Sequence, residues 1–176
     1  MKKSFLLLTV FLNSFFVFAK SIDTLMAVSK SMNKVISNII IKPEGYYPKS
    51  VSYPVLYLLH GAGGDFTSWT TNVPSLKKYA YMYNILIVCP DGGSTSWYLD
   101  SPIDKEMKYE TYISKKLIDA IDKKYKTIPE KTARAITDLS MGGHGAFYLS
   151  FKHQDIWGAA GSMSGGLDIR PFPNGW

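Results

Sequence analysis

Residues 135–146 read AITDLSMGGHGA, and this stretch decides the fold. Ala133–Leu139 is expected to be a strand, followed by a tight turn at Ser140 and a glycine-rich helix start at Gly142. A strand that runs through a serine turn directly into a helix is the layout of a nucleophile elbow. The turn strains the serine and exposes its hydroxyl above a sheet, while the helix aims free N–H groups at the same place. An oxyanion formed there by attack on an ester would meet those donors. Position 138 departs from the usual G-x-S-x-G, because Asp138 stands where the first glycine is expected. It brings bulk and charge into tight packing. A literal G-x-S-x-G occurs at Gly161–Gly165, but Ser164 leads to Gly166-Leu167-Asp168 and Pro171 with no helix start, so Ser140 is preferred as nucleophile.

Working outward, Val55–Leu59 (VLYLL) and Ile85–Cys89 (ILIVC) are short continuous apolar runs, which suits strands buried on both faces. Val35–Ile41 reads as a further strand, residues 66–82 as a loop and helix, and Trp157–Met163 as the last strand. Tyr109–Tyr125 is expected to be helical, with Tyr109, Tyr112, Ile113, Leu117, Ala120 and Ile121 on one face. Strands alternating with helices predict a mostly parallel sheet with helices on both faces. Ligands bind at the carboxyl ends of strands in such sheets. Three loops sit there: His60–Gly64, Asp91–Tyr98 and Ser140–Gly143. The first, in Leu59-His60-Gly61-Ala62-Gly63-Gly64, has the glycines that let backbone N–H groups turn towards a substrate oxygen.

These residues resemble the putative-esterase family of α/β-hydrolases, a group that includes feruloyl and acetyl-xylan esterases, S-formylglutathione hydrolase, tributyrin-type esterases and mycolyltransferases. The matching stretches are YLLHGAGGDFTSW (57–69), CPDGG with SWYLDSP after it (89–102), YETYISKKLI (109–118), LSMGGHGAFYL (139–149) and AAGSMSGGLDIRPFP (159–173). The resemblance implies an α/β-hydrolase fold and a serine carboxylic-ester hydrolase acting through an acyl-serine. It implies Ser140 as nucleophile, the backbone N–H groups of Ala62 and Met141 as the oxyanion hole, and Trp97 and Tyr98 on the substrate side. The substrate would be a small or polysaccharide-linked acyl or feruloyl ester; acyl transfer would use the same site. No cofactor or metal is expected.

A serine needs a base, and in this fold the acid and the histidine follow it in the chain. No histidine follows His153. His60 belongs to the glycine loop, and His144 lies inside the helix after the elbow, whose turn aims the serine away from helix side chains. His153 sits at the end of that helix. Asp91 is explained by its Pro-Asp-Gly-Gly turn, and Asp168 has no histidine to orient. Residues 20–176 are therefore expected to be the N-terminal part of an esterase domain, incomplete at its C-terminal end. The chain alone is expected to be inactive and marginally stable, with the strand at 158–163 as a sheet edge. The alternative is a non-catalytic, carbohydrate-binding descendant that stacks aromatics such as Trp69, Trp97, Tyr98 and Trp157 on sugars, although core packing is the preferred reading for Trp157.

Composition narrows the rest. The 176 residues are 46% hydrophobic and 19% charged, which excludes disorder and allows one domain. The net charge of +6 is scattered, without a basic run interleaved with aromatics, so no nucleic-acid partner is expected. The single cysteine, Cys89, excludes a disulfide framework and reads as a small buried hydrophobe. Residues 1–19 (MKKSFLLLTVFLNSFFVFA) have the two lysines, apolar run and terminal Val17-Phe18-Ala19 of a secretory signal peptide. A secreted or periplasmic protein without stable membrane insertion after cleavage is expected.

Overall fold

The computed structural model describes residues 21–168 and Arg170. The expected signal peptide at 1–19 lies outside them. The order is β1 (Ile22–Ser29), β2 (Lys34–Ile41), β3 (Val55–Leu58), α1 (Ser68–Asn72), α2 (Leu76–Tyr83), β4 (Leu86–Pro90), α3 (Tyr109–Thr111), a π-turn (Tyr112–Leu117), α4 (Ile118–Lys124), β5 (Arg134–Leu139), α5 (Ser140–Lys152) and β6 (Ala159–Met163). The strands form one sheet in the order β1-β2-β4-β3-β5-β6. β4, β3, β5 and β6 are mutually parallel, whereas β1 and β2 pair antiparallel with each other and β2 pairs antiparallel with β4. The expected mostly parallel sheet is present. β1 is an addition that the sequence pattern did not reveal.

Helices cover both faces. On one, Leu76 and Ala80 of α2 pack with Ile39, Ile41, Leu58, Ile87 and Cys89. On the other, Tyr112, Ile113, Leu117 and Ile121 pack with Met141, Ala146 and Leu149 of α5 over Tyr57, Val88 and Ile136. Burial of this apolar surface is the main force holding the layers together. The helix over 109–124 is continuous but widens through the π-turn. That register keeps Tyr112, Ile113, Ser114 and Leu117 all buried and sends the Tyr112 hydroxyl to Asn38 at 2.9 Å.

The topology fixes where a site can form. From β3 the chain moves to β4 on one side, then returns to place β5 on the other, so the strand order reverses at β3. Reversal opens a crevice at the carboxyl ends of the strands, and the loops after β3, β4 and β5 all reach it. Among the described residues β6 is the last strand on its side of the sheet.

Candidate active site

The elbow forms as its sequence predicts. β5 ends at Leu139 in extended backbone, Ser140 takes φ 55°, and α5 begins there. A left-handed φ is costly for a serine and is kept only where the surroundings impose it. Ser140 is exposed at the top of the sheet and Met141 is buried beneath it. The Met141 N–H belongs to the first turn of α5, where no intrahelical acceptor exists. Ser164 also has a positive φ, 51°, after β6. It leads into irregular chain over 165–168, whereas Ser140 opens α5.

Asp138 does not prevent the elbow. Its side chain is fully buried, with Oδ2 against Gly142 in the first turn of α5. Neither carboxyl oxygen has a hydrogen bond of good geometry, because the nearby Trp69 indole N–H is given to the Leu59 carbonyl. Burial pushes the carboxyl up to about 7, against weaker pulls from the Leu139 N–H and the Trp69 indole.

The glycine loop lies beside the serine: a Cβ built on Gly61 would stand 3.7 Å from Ser140 Cβ. Its backbone donors divide cleanly. The Gly63 N–H goes to the Ser94 carbonyl and the Gly64 N–H to the Gly61 carbonyl, while those of Gly61 and Ala62 have no acceptor among the described residues. Ala62 is exposed at the edge of the crevice. A cavity of about 300 Å³ opens between this loop and α1, lined by Ala62, Trp69, Asn72, Val73, Asp138 and Leu139 among others. A second cleft, of about 430 Å³, lies along α5 at Phe147, Phe151 and Leu167 and includes no residue of the elbow or glycine loop.

Trp97 and Tyr98 depart from expectation. They were expected to line the substrate side, yet both are buried and Tyr98 is completely so. Consecutive left-handed residues, φ 53° and 59°, turn their rings inward. The Trp97 ring meets His144 edge-on, and Tyr98 packs against Gly92 and Gly145, too close for either glycine to carry a side chain. Trp157 is buried as well, edge-on to Tyr57. Three of the four aromatics considered for sugar stacking are therefore core.

None of the histidines addresses Ser140. His60 is buried; its Nδ1 bonds the Gly61 carbonyl and its Nε2 accepts the Gly92 N–H. His144 Nδ1 bonds the Gly166 carbonyl, and burial holds its pKa below the usual histidine range. His153 Nε2 is paired with Glu110. Asp91 caps its own turn by accepting the Gly93 N–H, and Asp168 is held on the surface by Arg170. Cys89 is buried and its thiol is pushed up to about 12, the inert residue expected. Among the described residues no cluster of three or more His, Cys, Asp or Glu could hold a metal ion. What the sequence reading did not find is the network behind the loop, in which Ser96 and Tyr98 brace His60.

Comparison with known proteins agrees with this geometry. Esterase MT1326 of Mycobacterium tuberculosis is 32% identical over 134 residues, 74% of this chain and 29% of that protein. An endo-1,4-beta-xylanase/feruloyl esterase of Xylanibacter ruminicola is 32% identical over 152 residues, 78% of this chain and 20% of that protein. Among solved structures, a ferulic acid esterase superposes with a TM-score of 0.74 at 31% identity, over 84% of this chain and 59% of the other. MPT51 of Mycobacterium tuberculosis gives 0.71 at 27%, over 86% and 53%. The chain thus spans less than a third of these curated relatives and somewhat over half of the solved chains. The sheet order and elbow are those of an α/β-hydrolase fold, and a family profile described as "Putative esterase" matches residues 29–175: the chain belongs to that esterase family.

Proposed function

We propose that this chain carries the nucleophile and the oxyanion donors of an exported serine carboxylic-ester hydrolase. The observation that carries the proposal is Ser140 itself: exposed, held at φ 55° above the sheet, and flanked by unspent N–H groups of Met141 and Ala62. Ser140 Oγ would attack the ester carbonyl carbon while its proton passes to a base. The carbonyl oxygen would become an oxyanion held by the two N–H groups, and collapse would expel the alcohol and leave an acyl-serine. Water would then attack the acyl carbon and release the acid. The relatives named feruloyl esterase support feruloyl or other acyl esters, including esters on polysaccharide, as substrates.

None of the three histidines makes a hydrogen bond to Ser140, so on this proposal the base is none of them and turnover by this chain alone should be slow. A residual oxyanion contribution survives loss of a triad member in comparable enzymes. The test is labelling by a fluorophosphonate probe together with hydrolysis of p-nitrophenyl acetate and methyl ferulate. Ser140-dependent labelling supports the proposal; labelling or hydrolysis that persists in Ser140→Ala overturns it. Export through residues 1–19 is checked by the mass of the product, and an uncleaved cytoplasmic chain would refute it.

A further inference from the structure

The structure assigns Tyr98 a positioning role: its hydroxyl sets the loop that presents the Ala62 N–H, and it does so within a closed hydrogen-bond circuit. The inference rests on the proposed serine chemistry only for its catalytic consequence. One phenol engages both backbone groups of a single residue, accepting the His60 N–H at 2.8 Å and donating to the His60 carbonyl at 2.9 Å. The Tyr98 N–H donates to Ser96 Oγ, and Ser96 Oγ donates to the Gly92 carbonyl. The Gly92 N–H donates back to His60 Nε2 at 2.9 Å, and His60 Nδ1 bonds the Gly61 carbonyl. The circuit thus ties the loop after β4 to the loop after β3 and engages the backbone of His60 and the carbonyl of Gly61, while the Ala62 N–H stays free.

The backbone was bent to make this possible. Trp97 and Tyr98 both hold a left-handed φ, a costly arrangement for two bulky residues in succession. The Tyr98 ring has Gly92 on one side and Gly145 of α5 on the other, with the place of each missing Cβ within 2.5 Å of the ring. The ring therefore also fixes the glycine loop relative to the helix that begins at Ser140. Burial makes the bonds consequential: Tyr98 and His60 are both shut off from water, so a lost partner is not replaced by solvent. Oxyanion donors act through fixed placement, and a donor free to wander loses its advantage.

The experiment compares the full chain with Tyr98→Phe, which keeps the ring and removes the hydroxyl. Ser96→Ala is the milder variant, cutting the circuit without touching the ring. Amide hydrogen exchange is followed by mass spectrometry, and Ser140 labelling by a fluorophosphonate is timed. Tyr98→Phe should raise exchange at residues 60–64 at least tenfold while β3 and β5 stay protected, and should slow labelling about 10- to 100-fold. Ser96→Ala should do the same to a smaller extent. Unchanged exchange at 60–64, an increase spread evenly over the sheet, or an unchanged labelling rate overturns the assignment. If the unmodified chain is not labelled at Ser140 at all, the serine-hydrolase reading fails instead, and the exchange result alone decides the role of Tyr98.

Discussion

The carboxyl of Asp138 fills the space that a side chain at Gly142 would need: a Cβ built on Gly142 would stand 1.8 Å from Asp138 Oδ2. The two positions flank Ser140 in the elbow, one at the end of β5 and one in the first turn of α5. Only one of them can carry a side chain. The elbow therefore survives a residue at the first site because the second is glycine.

That exclusion predicts a strong coupling. Gly142→Ala should destabilise the chain by about 2 kcal/mol or more, because the added methyl would meet not only Asp138 Oδ2 but also its Cγ and Cβ, at 2.5 and 2.7 Å. In the Asp138→Gly background the same change should cost far less. A double-mutant cycle on urea midpoints measures the coupling, expected at 1 kcal/mol or above. Additive effects would show that the two residues do not compete for the space.

A buried carboxyl without good hydrogen bonds should also make stability depend on pH. The folded chain keeps a proton on Asp138 up to about pH 7, because burial disfavours the charge, while the unfolded chain releases it near the ordinary 3.8. Between those values the unfolded state binds fewer protons, so stability falls as pH rises. It is intact below about pH 4 and lower, by on the order of 4 kcal/mol, above about pH 7. Asp138→Asn has no such proton to lose. Its unfolding midpoint should hold nearly level where that of the parent chain drops, and parallel pH profiles would contradict the assignment.

How far the sequence revealed this arrangement depends on how local each signal is. The elbow, the glycine loop and the buried strands announce themselves because each is a short run whose turn chemistry and apolarity act on neighbouring residues. β1 stayed hidden since its outward positions Met26 and Val28 are as apolar as its inward Leu25 and Ala27, which erases the alternation that marks a half-buried strand. Trp97 and Tyr98 were misplaced for a different reason. Aromatic residues in a loop at the mouth of a site suggest contact with substrate. Two successive left-handed residues that turn them inward are a product of long-range packing against Gly92 and Gly145.

The strain at Ser140 gives a prediction that separates stability from chemistry. Its φ of 55° lies in the region where a Cβ is penalised, by roughly 1–2 kcal/mol. Ser140→Gly removes that penalty, offset in part by the greater freedom of glycine in the unfolded chain. The variant should melt at a higher temperature than both the parent chain and Ser140→Ala, and fluorophosphonate labelling should be lost in both substitutions. Equal melting of Ser140→Gly and Ser140→Ala would mean that the turn carries no strain.

A last prediction concerns the seam between the helix over 109–124 and α5, far from any role in bond-breaking. Glu110 is nearly buried there, and receives Tyr148 Oη at 2.6 Å, Lys152 Nζ at 2.9 Å and His153 Nε2 at 2.9 Å. Burial by itself would raise the Glu110 pKa, but the bonds from Tyr148, Lys152 and His153, with the Lys152 charge, outweigh it and hold the carboxyl below its ordinary range. A depressed carboxylate contributes stability that is present above the unfolded value of 4.5 and is lost as pH falls below it. Glu110→Ala should therefore cost about 2 kcal/mol at pH 7, since it strands the Tyr148 hydroxyl and the His153 ring at a partly buried seam, and the cost should shrink towards pH 3. Urea denaturation at the two pH values measures it. Labelling of Ser140 in the folded fraction should stay unchanged, because the Glu110 network meets α5 at its C-terminal end, at Tyr148, Lys152 and His153, whereas Ser140 stands at its start. A labelling rate that fell with Glu110→Ala would instead mean that the seam sets the position of the elbow.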